Sequence, residues 1–403
     1  MHKRFSGSFT QQSALPEASL RAAERVLGSA ALHRYQTDDG QQSETACLEQ
    51  EFANWQGADY CLAVASGGQA MQLALRAAGV AIGDPVLTNA FTLAPVPGAI
   101  RAVGAAPVLV EITRDLVIDL DDLEQKVKSS GAKVLLLSHM RGHIPDMTAI
   151  MQIVQAADVT VIEDCAHTMG ATWQGEKSGN FGTFGCFSTQ TYKHMNSGEG
   201  GLLTTGDPTL AAKAIIMSGS YMNYDRHGAM PGPMYFADAK YDCPNMSARM
   251  DNLRAAILRP QLERLDEAVA GWNQRAKLIA EKLLGLSPYV YCPKALDGAM
   301  RVGSSIQFCL PGQTAAQCQA VVRDLATRGV EVKWFGHAEP HGFTSQHKHW
   351  RYMDAQSLPQ TDEVIQTLFD MRVPLSFDEA DCLLIADILV EVLQAQAIAG
   401  EAA

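Results

Sequence analysis

Hydrophobic positions along the chain alternate between two kinds of pattern. Short apolar runs such as Tyr60–Ser66 and Ala132–Ser138 predict buried strands, whereas apolar residues three and four apart, as over Gln69–Ala78, predict helices with one buried face. The two patterns follow one another as far as the apolar run Val159–Glu163. This order predicts an α/β fold with a mostly parallel sheet flanked by helices.

The pattern changes after Gly201. The segment 218–245 is rich in Gly, Pro, Met and Tyr without any period, and its aromatic residues indicate a packed, functional loop. A long helical region over Arg249–Leu284, interrupted by Pro260, comes next. Further strands and helices then predict a smaller α/β domain: strands at Ile306–Leu310 and Val330–Phe335, helices at Ala315–Arg328, Thr361–Phe369 and Glu379–Ala397. We therefore expect an N-terminal arm (1–40), a large domain (41–265) and a small C-terminal domain (266–403).

Composition narrows the possible partners and the compartment. With 32 Lys and Arg against 44 Asp and Glu, the net charge is −12, which argues against a nucleic-acid partner. We see neither a signal peptide nor an apolar run of about 18 residues, the length that a membrane span needs. The nine cysteines form no CxxC pair and fit reduced thiols. These features predict a cytoplasmic protein that binds neither membrane nor nucleic acid.

Two residues suggest the chemistry. Asp164 ends an apolar, β-rich run, and Lys193 lies between two further apolar runs in a segment crowded with Gly, Ser and Thr. Ligands of open α/β sheets bind at the carboxyl ends of the strands. Pyridoxal 5′-phosphate (PLP) needs a lysine amine to hold its aldehyde and a carboxylate to keep its ring nitrogen protonated. Taken singly, each residue also fits an ordinary role, a helix cap for Asp164 and a surface lysine for Lys193.

The residues around this pair fit a phosphorylated cofactor. Ser66, Gly67 and Gly68 stand between a predicted strand and a predicted helix, where free backbone N–H groups bind anions. Ser188 offers a further hydroxyl for the phosphate, and His167 can donate to the phenolic oxygen of PLP. The plain alternatives are a tight turn for the glycines and a buried, satisfied histidine for His167.

Together these stretches resemble the DegT/DnrJ/EryC1/StrS aminotransferases, the sugar aminotransferases of the fold-type I PLP class. The family patterns and the segments that match them are S-G-T-A-A-L at Ser66–Met71, G-D-E-V-I-V-P-S-F-T-F at Gly83–Leu93, H-L-Y-G-x-x-x-D-M at His139–Met147, E-D-A-A-Q-A-x-G-A at Glu163–Ala171, and the lysine segment ending in G-E-G-G at Phe181–Gly201. The similarity extends over nearly the whole chain.

The resemblance implies a role for each matching residue. Lys193 would bind the cofactor covalently and move a proton, and Asp164 would hold the pyridine nitrogen. The phosphate would lie on Ser66, Gly67, Gly68 and Ser188, with His167 near the ring oxygen. It also implies a homodimer with shared active sites, in which Asn245 reaches the phosphate of the neighbouring subunit. The reaction would move an amino group from L-glutamate or L-glutamine to a ketone of a sugar, nucleotide-sugar or cyclitol.

Several positions depart from the family pattern. The family usually stacks an aromatic residue on the PLP ring where this chain has Leu93, so either Leu93 or Phe91 covers the ring. The Asn–Arg spacing is two residues longer, so Ser247 competes with Asn245 for the phosphate contact. Because these departures surround the substrate side, the resemblance indicates a PLP aminotransferase more firmly than it indicates a sugar substrate.

Four alternative functions share parts of this sequence pattern. A non-sugar keto compound can replace the sugar as amino acceptor. A PLP-dependent dehydratase is disfavoured, because that branch of the family has His in place of Lys193. A non-catalytic PLP-binding regulator would be expected to carry a DNA-binding motif or basic tail, and none is seen. A metal hydrolase using His139, His143 and Asp146 is disfavoured, because His139 and His143 follow a strand and do not share one helix face as in HExxH. The later histidines His337, His341, His347 and His349 fit a solvated loop near the substrate entrance better than a metal site. We therefore predict no metal.

Overall fold

The computed structural model describes residues 3–37, 41–342 and 344–401. Its strands are short, and most of them are five residues long. They are β1 (Tyr60–Val64), β2 (Pro85–Asn89), β3 (Ala106–Val110), β4 (Val134–Ser138), β5 (Thr160–Asp164), β6 (Thr172–Trp173), β7 (Glu176–Lys177), β8 (Phe184–Ser188), β9 (Gly201–Thr205), β10 (Ala299–Met300), β11 (Ser305–Cys309), β12 (Lys333–Trp334) and β13 (Leu368–Arg372).

The helices lie between these strands. They are α1 (Glu17–Ser29), α2 (Glu44–Gln56), α3 (Gly67–Ala77), α4 (Pro95–Ala102), α5 (Leu120–Ser129), α6 (Met147–Ala156), α7 (Pro208–Ile215), α8 (Ala239–Asp242), α9 (Asn252–Leu262), α10 (Leu265–Leu284), α11 (Ala315–Thr327), α12 (Pro359–Gln366) and α13 (Glu379–Glu401). Among the described residues, no helix combines the length and apolar character needed to cross a bilayer.

A seven-stranded sheet of order β1-β9-β8-β5-β4-β2-β3 forms the centre of the fold. Its pairs are parallel except those of β9, which is antiparallel to both β1 and β8. This confirms the predicted α/β class with a mostly parallel sheet. Because β4, β5 and β8 run in the same direction, their last residues, Ser138, Asp164 and Ser188, reach the same edge.

Helices cover both faces of this sheet. Along β4, Leu135 and Leu137 pack into one buried cluster and Leu136 packs into the cluster on the opposite face. Strands buried on both faces read as continuous apolar runs, which is why this run could be recognised in the sequence. The helical region predicted over 249–284 divides at residues 263–264, just beyond Pro260, into α9 and α10.

The C-terminal part contains a smaller antiparallel sheet of order β11-β13-β12. The helix predicted over Thr361–Phe369 is wrong at its end, because α12 stops at Gln366 and β13 begins at Leu368. Leu368 and Phe369 belong to different buried clusters, so β13 is covered on both faces and shows no alternation in sequence. Phe5 and Phe9 of the predicted arm pack into the core of this small sheet. Residues 1–2 and 38–40 of that arm lie outside the described part of the chain, and the domain boundaries stay predictions.

Candidate active site

The turn from β1 into α3 forms a tight cradle. Ser66 caps the helix, its hydroxyl accepting from the backbone N–H of Gln69 at 3.1 Å. A Cβ atom on Gly67 would stand 2.9 Å from the Cβ of Ser188, whereas one on Gly68 would have the Ser66 hydroxyl oxygen, at 3.7 Å, as its nearest non-local neighbour. Gly67 thus lets the helix start approach the end of β8, and the free N–H groups of that start suit a phosphate.

Asp164 is a buried carboxylate at the end of β5, with 6% of its surface exposed. The hydroxyl of Ser138 donates to its Oδ2 at 2.8 Å, and the backbone N–H of Ala166 donates to its Oδ1 at 3.2 Å. Thr92 in turn donates to the Ser138 hydroxyl at 2.8 Å. These hydrogen bonds fix the orientation of the carboxylate, which is able to form a charge-assisted pair with a cationic partner.

Lys193 lies in the loop that joins β8 to β9. Burial lowers the pKa of its amine to about 7, an effect that Asp164 opposes and Arg141 reinforces. Its Nζ lies 2.8 Å from Nε2 of His167. An amine with such a pKa is about half unprotonated at pH 7 and is therefore able to add to a carbonyl.

His167 lies beside this amine on the segment that follows β5. The backbone N–H of Arg141 donates to its Nδ1 at 3.4 Å, which places the proton of the neutral ring on Nε2. Burial, and secondly the charge of Lys193, hold the pKa of His167 well below its usual value. The ring is therefore a neutral donor that points toward Lys193.

A cavity of 360 Å³ joins these groups. Most of the residues predicted for the site line it: Ser66, Gly67, Gly68, Leu93, Asp164, His167, Ser188 and Lys193. Leu93 is part of the cavity wall and also packs against a buried cluster; Phe91 lies inside that cluster, is 1% exposed and packs edge-on against Phe335.

Asn245 and Ser247 are exposed and lie outside that cavity wall. The side-chain oxygen of Asn245 accepts from the backbone N–H of Ser247 at 2.8 Å, and Ser247 has a left-handed backbone with φ of 51°. A contact of either residue with a neighbouring subunit stays a prediction.

Sequence reasoning missed four polar residues of the site. Ser138 orients Asp164, and three cations, Arg141, Lys333 and Arg372, also line the cavity. One signal was available, because Arg141 stands where the family pattern H-L-Y-G has a tyrosine.

The histidines of the metal-hydrolase alternative make other contacts. His139 Nε2 lies 2.9 Å from Glu163, whose carboxylate also accepts from the backbone N–H groups of residues 179, 181 and 182. Asp146 caps α6 by accepting from Ala149. Within the described ranges, His139, Glu163 and Cys165 form the one group with metal-ligand spacing. Because Glu163 already accepts these hydrogen bonds, it joins the end of β5 to the segment 179–182, which is a structural role.

These residues fit PLP at each of its recognition points. The helix start around Gly67 suits its phosphate, the buried Asp164 suits a protonated ring nitrogen, and His167 offers an N–H to a ring oxygen. The Lys193 amine lies 2.8 Å from Nε2 of His167 and, with a pKa of about 7, is half unprotonated at neutral pH. The arrangement is thus able to hold an aldehyde cofactor and to transfer protons beside it.

Comparison with known proteins agrees with this geometry. The chain matches the family model described as DegT/DnrJ/EryC1/StrS aminotransferase family over residues 21–389. It is similar to GDP-perosamine synthase of Caulobacter vibrioides, with 31% identity over 71% of this chain and 74% of that protein. It is also similar to L-glutamine:2-deoxy-scyllo-inosose aminotransferase of Micromonospora echinospora, with 30% identity over 63% of this chain and 61% of that protein. Among solved structures, 3-amino-5-hydroxybenzoic acid synthase superposes with a TM-score of 0.81 at 26% identity, covering 96% of this chain and 99% of that chain.

Proposed function

The chain belongs to the DegT/DnrJ/EryC1/StrS aminotransferase family, and on that premise we propose that it moves an amino group from L-glutamate or L-glutamine to a ketone of a sugar, nucleotide-sugar or cyclitol-type molecule. It is an aminotransferase that uses PLP. The observation that carries the proposal is the meeting of Lys193, His167 and Asp164 in one cavity at the carboxyl edge of the large sheet.

Each group of residues has a task in this reaction. When bound, PLP supplies an electron-withdrawing ring that stabilises negative charge on the substrate carbon. The cradle of Ser66, Gly67 and Gly68, with Ser188, would hold its phosphate. Asp164 would keep its ring nitrogen protonated, because an ionised carboxylate favours a nearby positive charge.

Lys193 would transfer protons during the reaction, and His167 would donate a hydrogen bond. Lys193 would hold the aldehyde carbon of the cofactor covalently, and its amine, whose pKa burial lowers to about 7, would take and return a proton beside the substrate carbon. The neutral His167 ring would offer its Nε2 proton to the ring oxygen and would add no competing positive charge.

The names of similar proteins support the substrate class. They include a GDP-sugar enzyme, a cyclitol aminotransferase that names L-glutamine as donor, and a synthase of an aminated benzoic acid. The family therefore aminates ring compounds of several chemistries, which is consistent with a ring ketone as acceptor here.

We include a homodimeric assembly and a cytoplasmic location in the proposal. The segment 218–245 exposes four large apolar side chains, a feature typical of protein–protein interfaces, at Tyr221, Met222, Met234 and Tyr241. Asn245 ends that segment and is exposed. The nine cysteines are free thiols, as in a reducing compartment.

A two-step experiment tests the proposed function. The PLP form is first treated with L-glutamate or L-glutamine, and loss of the cofactor's aldehyde absorbance reports the donor. The resulting amine form is then offered keto-sugars, cyclitol ketones and keto acids, and recovery of the original absorbance reports the acceptor. If neither donor changes the spectrum, the proposal is wrong. Lys193→Ala serves as the inactive control.

A further inference from the structure

Three cations other than Lys193 line the active-site cavity. Arg141 lies in the turn that follows β4, Lys333 lies in β12, and Arg372 ends β13. Lys333 and Arg372 thus come from the small sheet, and Arg141 comes from the edge of the large one. The cavity is positively charged where the two sheets meet.

Arg141 is held in an unusual way. Its side chain is 9% exposed, and its backbone adopts the left-handed region with φ of 55°, which costs a non-glycine residue of the order of 1 kcal/mol. Its Nη2 lies 2.9 Å from Oδ2 of Asp370. Within the described residues, Nε and Nη2 nevertheless find no acceptor with hydrogen-bond geometry. A buried guanidinium that lines a cavity in this state has donors to spare for a ligand.

Few carboxylates balance these cations. One carboxylate oxygen of Asp370 faces Arg141, and the other accepts from the side-chain amide of Gln307 at 2.8 Å. The side-chain oxygen of Gln307 in turn accepts from half-buried Arg301 at 3.0 Å. Of the carboxylates that line the cavity, Asp164 is assigned to the cofactor and Glu199 is exposed. Glu331, which is exposed and outside the cavity wall, also acts on Lys333. The buried charge on this side of the cavity is therefore mainly positive.

The nearby positive charges contribute to lowered pKa values of Lys333 and Arg372. Burial lowers the pKa of Lys333 to about 8; Asp370 opposes the shift, while Arg141 and Arg372 add to it. Burial also lowers the pKa of Arg372, whose guanidinium lies 3.9 Å from the centre of the Tyr192 ring. An anion bound among these groups would relieve their mutual repulsion.

We propose that Arg141, Lys333 and Arg372 form a subsite that binds a carboxylate of a substrate while the reacting carbon lies at Lys193. The inference rests on the proposed transamination and specifies its substrate class. Guanidinium groups match the two oxygens of a carboxylate, and the phosphate of the cofactor has its own cradle at Ser66–Gly68. The carboxylate has two possible sources, the amino donor or the amino acceptor. If the acceptor is the source, the subsite selects a carboxylated ring ketone over an uncharged one.

Glutarate is a suitable probe, because it carries two carboxylates and neither an amine nor a ketone to react. Its affinity for the PLP-loaded enzyme is measured by titration calorimetry. We expect Lys333→Gln and Arg372→Gln each to raise the Kd about tenfold or more, as loss of a charge-assisted contact does. Lys294→Gln and Arg351→Gln, exposed residues outside the cavity wall, are the matched controls and should bind glutarate like the wild type. Unfolding temperature and cofactor content verify that each variant is folded and loaded.

Arg141→Lys provides a further check. It keeps the charge that faces Asp370 and loses the forked donors, so its affinity for glutarate should fall between those of the wild type and Arg372→Gln. Two results would overturn the subsite: wild-type enzyme that does not bind glutarate, or Lys333→Gln and Arg372→Gln variants that bind it as tightly as the wild type.

A second measurement identifies the source of the carboxylate. The single-turnover reaction of the PLP form with L-glutamate is followed in the same variants. If the apparent affinity for L-glutamate falls together with that for glutarate, the subsite holds the donor. If it stays at the wild-type value, the subsite holds the acceptor. Failure of the proposed function is a separate result, in which wild-type enzyme reacts with no amino donor whatever its affinity for glutarate.

Discussion

The amine of Lys193 and the imidazole Nε2 of His167 lie 2.8 Å apart, on loops that follow two neighbouring parallel strands. The donor at Nδ1 places the imidazole proton on Nε2, so the pair consists of an N–H facing a basic nitrogen. Burial lowers the pKa of both groups, so the imidazole is neutral and a large fraction of the Lys193 amine, about half at pH 7 and more above it, is unprotonated. The site thus holds a reactive amine and an oriented donor before the cofactor arrives.

The rate of cofactor uptake should depend on pH through the Lys193 amine. Since only the unprotonated Lys193 amine adds to an aldehyde, the rate at which apoprotein takes up PLP should rise through about pH 7 and then level off. Stopped-flow absorbance measures this rate, and N-acetyl-lysine under the same conditions corrects for the titration of PLP itself. A rate that keeps rising toward 10.5, the ordinary lysine pKa, would contradict the lowered value.

A pair of glycine substitutions tests the cradle. In Gly67→Ala the new methyl group would stand 2.9 Å from Ser188 Cβ, so the helix start must move away from β8. We expect its Kd for PLP to rise about tenfold or more, which corresponds to about 1.4 kcal/mol. Gly68→Ala meets no atom closer than 3.7 Å and should bind PLP nearly as the wild type does. Equal affinities of the two variants, measured by fluorescence titration, would contradict this account of the cradle.

Asp164 should be needed for its charge. Asp164→Asn keeps the size of the side chain but cannot stabilise a protonated ring nitrogen, so we expect kcat to fall by about 10²-fold or more. Ser138→Ala removes one hydrogen bond to Asp164 and leaves the charge, so its loss should be about tenfold or less. Steady-state kinetics with the identified substrates compares the two. Asp164→Asn activity close to that of Ser138→Ala would argue against the role of the charge.

His167 should act as a neutral donor. His167→Gln retains an N–H group and introduces the residue of the family pattern, whereas His167→Phe keeps a ring without the donor. We expect the glutamine variant to bind PLP with an affinity close to the wild type and the phenylalanine variant to bind it about tenfold more weakly. If both variants lose affinity equally, the imidazole has another role.

The large sheet was predictable from sequence because its strands are covered on both faces. Strand β4 is continuously apolar up to its last residue, and β5 contains the apolar pair Val161 and Ile162 after Thr160; a polar residue ends each strand, Ser138 and Asp164. The cradle was predictable for a similar reason, since Ser66 and the glycines after it stand where a strand turns into a helix. These signals are local, and each is contained in a few consecutive residues.

The rest of the site depends on contacts between distant segments. Arg141 and Asp370 are 229 positions apart in sequence, and no periodicity relates them to Lys333 or Arg372. Strand β13 could not be recognised from the sequence, because residues 364, 365, 368 and 369 are all apolar and this spacing is also typical of a helix. Packing, and not local pattern, places Leu93 on the cavity wall and Phe91 inside the buried cluster that Leu93 also contacts.

The central claim is that Lys193 is the residue that binds the cofactor. The protein loaded with PLP should be yellow, and reduction with borohydride should fix the cofactor permanently on the chain. Peptide mapping by mass spectrometry then locates the label, with Lys193→Ala as the control, which should fold normally and acquire no label. The account predicts a label on Lys193 alone. A label on another lysine, or a labelled Lys193→Ala protein that still transaminates, would contradict it.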